Sequence, residues 1–150
     1  MSKWRRRALE LFPDLKSELN SPDYTVYSLY VDLLPAVIEA HRAGNDDRLS
    51  AIYGYAAWCA RSSAKDLWNA AGVSFYEHLF DEKWRWMWEA VPSWLPADIR
   101  SDCMGLWEMQ LSARDFATVT KLLKAIPPDR LESHQGRAFA ARASRDIWRR

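Results

Sequence analysis

His78, Asp81 and Glu82 stand at i, i+3 and i+4, the spacing that brings three side chains to one face of a helix. A histidine with two carboxylates on one face is half of a carboxylate-bridged metal site. Such sites draw ligands from two or more helices, and the chain holds no second copy of the pattern. The simpler reading of His78 is a histidine held by a hydrogen bond in or beside the core, so no metal and no cofactor are expected. Asp66, Asn69 and Glu77 are polar positions on an otherwise apolar stretch. A carboxylate buried there would hold its proton to higher pH and could serve as a general acid or base. Asp66, Glu77 and His78 are therefore the candidate catalytic residues of a small hydrolase or metal-dependent enzyme. The competing reading has them facing a strip of solvent, capping a neighbour or pairing with arginine. Ser74 would be a nucleophile only with a base in reach, and His78 lies one turn on. A serine bonded back to the carbonyl four residues earlier is the ordinary alternative. No GxGxxG, P-loop, GxSxG or HExxH occurs, so the strong enzymatic signatures are absent.

Positioning any of these residues falls to helices. Only five glycines interrupt 150 residues, no strand-like alternation of length appears, and the dominant period is helical. Short helical pieces are expected over 4–12 and 14–20, broken at Pro13. Ser21-Pro22 reads as N-cap and first residue of a helix to about Ala43. Its apolar stripe is Tyr27, Val31, Leu34, Ile38 and His41, with Gly44 as a left-handed stop. Asn45-Asp46-Asp47 opens the next helix, with Leu49, Ile52, Tyr53, Ala56 and Cys59 inward. The stretch from Ala64 to Phe80 is apolar on most sides, Trp68, Val73 and Phe75 included, and is expected as the most buried helix. A helix to Val91 follows, with Trp84, Met87, Trp88 and Val91 inward and Trp86 pointing away. Pro96 starts another to about Gln110, and Ser112 with Asp115 forms a capping box for a helix to Ile126. Phe139, Ala143 and Ile147 mark a final Arg-rich amphipathic segment. The expected fold is all-α, a single domain over 1–150. It is read as an irregular helical bundle or a short stacked array of α-hairpins, at least about 60% helical.

The net charge of +1 hides a pattern. Residues 1–7 carry four positive charges and no negative one, and residues 137–150 carry five Arg against Asp146. That leaves twelve basic and nineteen acidic residues between 8 and 136, a net of −7. An acidic body argues against a nucleic-acid surface spread over the fold. The basic ends, where Trp4 and Trp148 interleave with Arg, either touch a polyanion or stay solvated and partly frayed. The acidic body suits a protein partner with a basic face. Its expected contacts are the acidic helix starts and turns at Asp46, Asp47, Asp98 and Asp102, with outward Trp86 as anchor. The competing reading has these charges only capping helices and keeping the protein in solution.

No apolar run approaches the roughly 20 residues that span a bilayer. The basic start is followed at once by Glu10, Pro13 and Asp14, which leaves no signal-peptide core. Cys59 and Cys103 lie in no paired motif and sit among apolar residues, as buried reduced thiols do. A cytoplasmic location follows. The nine Trp imply a dense core, or an interface where Trp is enriched.

Two stretches carry a resemblance. They are Leu11-Phe12-Pro13-Asp14-Leu15-Lys16-Ser17-Glu18-Leu19 and the run from Asp66 to Asp81, above all Ser74-Phe75-Tyr76-Glu77-His78-Leu79-Phe80. Over roughly 8–90 the chain resembles a family of small uncharacterised bacterial helical proteins. The resemblance implies an all-helical fold and brings no activity with it. Small, acidic-bodied helical proteins of bacteria look like immunity proteins of toxin systems, a likeness of type and not of motif. The sequence thus favours a protein-interaction module over an enzyme.

Overall fold

The computed structural model describes residues 1–134. The expected helix around Phe139, Ala143 and Ile147, and the basic stretch 137–150, lie outside the described residues. Of those described, 77% are helical and none is in a strand. The fold is all-α. Among the described residues seven α-helices follow in order, α1 (Lys3–Leu11), α2 (Lys16–Leu19), α3 (Val26–Ala43), α4 (Asp46–Ala60), α5 (Lys65–Ser74), α6 (Ala97–Gln110) and α7 (Ala113–Ala125), and residues 130–134 are helical as well. Short 3-10 turns join several of them. No helix among the described residues is long and apolar enough to cross a membrane.

Helix ends fall where side-chain chemistry can satisfy free backbone groups. Gly44 stops α3 at φ 64, a left-handed conformation that only glycine adopts without cost. Asn45 caps α4 by accepting from the Arg48 N–H, and Ser112 caps α7 by accepting from the Asp115 N–H. The start of α3 departs from expectation. Ser21-Pro22 forms a turn, and Thr25 with Ser28 forms the reciprocal capping box. The Arg5 guanidinium closes that turn by donating to the carbonyls of Leu19, Ser21 and Tyr24. Part of the basic N-terminus is thus structural.

The buried face of α3 also differs. Leu29, Tyr30, Leu33 and Val37 are sealed, while Val31 is 70% exposed. Both stripes have helical spacing. Aromatic packing selects one of them, since Tyr30 meets Tyr55 at 6.2 Å and Phe75 at 5.6 Å. The most buried helix is α4, not α5: Leu49, Ile52, Tyr53, Tyr55, Ala56, Ala57 and Cys59 are all inside. α5 buries only Leu67, Ala70 and Ala71.

α5 does not reach Phe80. It stops at Ser74, Phe75 takes φ −129 and ψ −73, and Tyr76–His78 form a 3-10 turn. The break falls in Val73-Ser74-Phe75-Tyr76, a run of weak helix formers. The Tyr76 carbonyl at this break accepts from the buried Trp107 indole at 2.8 Å. The expected helix to Val91 is likewise a 3-10 segment, Glu82–Met87, interrupted at Trp84. Met87, Trp88 and Val91 are buried as their spacing implied, and Trp84 is partly so. Beyond it, Trp94 stacks on Tyr53 with ring centroids 5.8 Å apart and 9° between planes. The Arg100 guanidinium on α6 donates to Pro92 and Leu95 on one side, and to Leu123 and Ile126 at the end of α7 on the other.

His41 closes the core at the end of α3. Its Nε2 lies 2.7 Å from the Tyr53 hydroxyl. Burial, helped by the Arg130 charge, lowers its pKa from 6.5 to about 4. Because the unfolded chain takes up this proton first, stability is full above about pH 6.5 and falls as the pH drops towards 4. Stability should decline by about 2 kcal/mol between pH 7 and 4.5, read by urea unfolding, and His41→Gln should flatten most of that slope. A wild-type and variant slope that coincide would contradict the assignment.

Candidate functional site

The candidate catalytic residues are not assembled into a centre. Asp66 is exposed in the first turn of α5, while Glu77 and His78 lie in the 3-10 turn beyond its end. The helix rises about 12 Å from Asp66 to Ser74, which holds Asp66 away from the other two. None of the charged side chains described is fully buried, so the sheltered carboxylate that general acid–base work would need is not formed. Ser74 makes no hydrogen bond to His78. The extended backbone at Asp81, with ψ 141, removes the shared helical face of His78, Asp81 and Glu82. The Asp81 carboxylate instead caps the next turn by accepting from the Lys83 N–H. Among the described residues, no three His, Cys, Asp or Glu side chains could hold a metal ion.

The expected partner contacts are dispersed, and most are engaged within the molecule. Asp46 pairs with Arg130 at 3.2 Å and Asp47 with His134 at 3.1 Å, both at the start of α4. Asp98 accepts two bonds from Arg61, at 2.8 and 2.9 Å. The guanidinium holds its carboxyl below the usual carboxylate range. Trp86 is outward, as expected, and half exposed. Its ring is covered by Arg42, 5.2 Å from the centroid, which is in turn held by Glu39. Asp102 lies at a cleft.

That cleft, about 360 Å³, separates α5 from α6. Trp68, Gly72 and Val73 line one wall, and Ile99, Asp102, Cys103 and Leu106 the other. Its width is set at Gly72, where a Cβ would lie 3.3 Å from Leu106 Cδ1. The hydrogen bond from Trp107 to the Tyr76 carbonyl fixes α6 against the end of α5. Tyr76 also borders the cleft, and its buried hydroxyl has no partner among the described residues. Burial pushes the Cys103 thiol up to about 12, helped by the Asp102 charge, so it stays protonated at neutral pH and is a poor nucleophile.

The surface around this groove is unusually apolar. Trp68 is 45% exposed and Val73 38%. Met109, one turn beyond Leu106 on α6, is 88% exposed. Asn69 donates to the Tyr27 hydroxyl at 2.8 Å, joining α3 to α5. The pairs Tyr27–Asn69 and Tyr30–Phe75 advance in the same direction along both helices. Sequence reasoning placed Trp68, Val73 and Val31 in the core. The signal for the groove was in the sequence: a helix apolar on most sides has two solutions, burial or an apolar outer face.

No curated protein and no solved structure matches the chain. A family model described as a domain of unknown function (DUF7674) matches residues 5–126. The match continues past Trp94, beyond the stretch that carried the resemblance in sequence, and spans α1 to α7 with both walls of the groove. The chain belongs to the DUF7674 family.

Proposed function

We propose that this domain is a non-catalytic protein-binding module whose groove between α5 and α6 takes an amphipathic helix of the partner. The observation that carries this is the exposure of Trp68 and Val73 on the wall of one cleft, with Met109 exposed one turn beyond Leu106 of the facing wall. Apolar surface left open on a folded domain marks an interaction site, and a cleft between two helices suits an apolar helix face. Asp102 is the one charged residue on the lining among the described residues, so the partner helix carries a Lys or Arg beside its apolar stripe. The net −7 of residues 8–136 steers such a basic partner to the surface. By analogy of type, a cytoplasmic immunity protein of bacterial origin covering a basic toxin fits this description.

The test is capture of the partner from the native host, followed by variants in the groove. Trp68→Ala should weaken binding about 30-fold, the loss typical of an interface anchor. Asp102→Lys should slow association and reduce its dependence on salt between about 50 and 500 mM. Trp86→Ala should change neither. A partner that ignores Trp68→Ala and Asp102→Lys, with the variants folded by circular dichroism, would place the interface elsewhere.

A further inference from the structure

We propose that a second cleft, where α1 meets the end of α4, binds a phosphomonoester group. This cleft is about 650 Å³ and is lined by Lys3, Arg7, Trp58, Arg61, Ser62 and Ser63, with no carboxylate on its wall among the described residues. Lys3 and Arg7 are four residues apart on α1, so both face the same side. Neither is ion-paired to a described carboxylate. Arg7 is positioned by the Trp58 ring, 5.0 Å from its guanidinium. Arg61 is oriented by its two bonds to Asp98, which use Nε and Nη2 and leave Nη1 without a bond to that carboxylate. The Ser62 hydroxyl oxygen accepts from the Ala64 N–H at 3.1 Å, which leaves its O–H to donate.

Lys3 and Arg7 meet no described carboxylate and repel each other across one concavity beside the Asp98-paired Arg61, and a concave wall concentrates their field on an entering anion. A phosphomonoester matches this set. It brings up to two negative charges and three acceptor oxygens, which guanidinium groups and hydroxyls address together. A carboxylate would bring one charge against the two of Lys3 and Arg7. Among the described residues the cleft offers one such centre and no row of them. Arg5, which would extend it along α1, donates to the carbonyls of Leu19, Ser21 and Tyr24. A small phosphorylated ligand is therefore the occupant, and a nucleic-acid strand is not. This site is separate from the α5–α6 groove and does not depend on it.

The experiment is a heteronuclear NMR titration of the full chain with inorganic phosphate and, separately, with AMP, chloride holding the ionic strength constant. Saturable shifts are expected at the Ser62 and Ser63 amides and the Trp58 indole, with a dissociation constant of about 0.1–5 mM. Tighter binding of AMP would identify an ester as ligand, and equal binding the free ion; both support the site. The Lys3→Gln, Arg7→Gln double variant should raise the constant at least about tenfold. Lys3→Gln alone, at an exposed residue in the first turn of α1, should raise it at least about twofold and serves if the double variant unfolds. Shifts that never saturate, or that survive these substitutions unchanged, would overturn the proposal. So would tight binding of a single-stranded oligonucleotide that phosphate and AMP fail to displace.

Discussion

Phe75→Ala should lower the unfolding free energy by about 3–5 kcal/mol, the range for truncating a fully buried aromatic. Phe75 is completely buried. Its ring lies 5.6 Å from Tyr30, 5.8 Å from Tyr53 and 5.3 Å from Tyr76, so it joins α3, α4 and the turn after α5. Removing it opens a cavity among three rings and forfeits their edge contacts as well. The neighbours are large and stiff, which limits how far they can collapse into the space. Chemical denaturation at fixed pH gives the number. A loss below about 1 kcal/mol would show that the α3–α5 junction repacks freely, contrary to the density seen around it.

Arg100→Ala should cost about 2–4 kcal/mol, through several carbonyls losing one charged donor. The guanidinium spans two structural units, the turn at Pro92 and Leu95 and the end of α7 at Leu123 and Ile126. The carbonyls at the end of α7 have no further turn of helix to satisfy them. Lysine offers one compact ammonium in place of a planar fork, so Arg100→Lys should recover less than half of the loss. Hydrogen exchange separates this from general destabilisation. In the alanine variant, amides near Leu123 should lose protection while those of α4 keep theirs at equal global stability. Uniform loss of protection would mean that Arg100 does not act as a local clasp.

What the sequence made legible was the chemistry of boundaries. Gly44, Asn45 and Ser112 act through their own backbone preferences or side chains, and each sits where its residue type places it. Most of the inward side of α4 was readable for a related reason. Leu49, Ile52, Tyr53, Ala56 and Cys59 form one apolar line, and only Tyr55 and Ala57 are buried off it. α3 and α5 carry more than one such line, and local periodicity cannot rank them. That choice is made by partners distant in sequence, as when Tyr30 and Phe75 pack together and turn Val31 outward. The break at Phe75 is tertiary in the same sense, because the Tyr76 carbonyl is met by an indole on α6. The candidate site suffered from both effects. Asp66, Glu77 and His78 seemed close only on the premise of an unbroken helix, and Trp68 and Val73 looked like core only on the premise of a central one. The partners of Asp46, Asp47 and Asp98 had no local signature at all, since Arg130, His134 and Arg61 come from other parts of the chain.

The two thiols make the domain its own stopwatch. Burial pushes Cys59 up to about 11 and Cys103 up to about 12, so neither presents a thiolate to an alkylating reagent while the fold is closed. Each must wait for an opening, and the openings differ. Cys59 is sealed in α4 beside Tyr30 and Tyr55, in the interior of the domain. Cys103 stands on the wall of the groove. The labelling rate of Cys103 therefore counts the breathing of the α5–α6 face, and that of Cys59 counts excursions of the whole core. A ligand seated in the groove slows the first clock far more than the second, and no foreign probe has to be attached to see it.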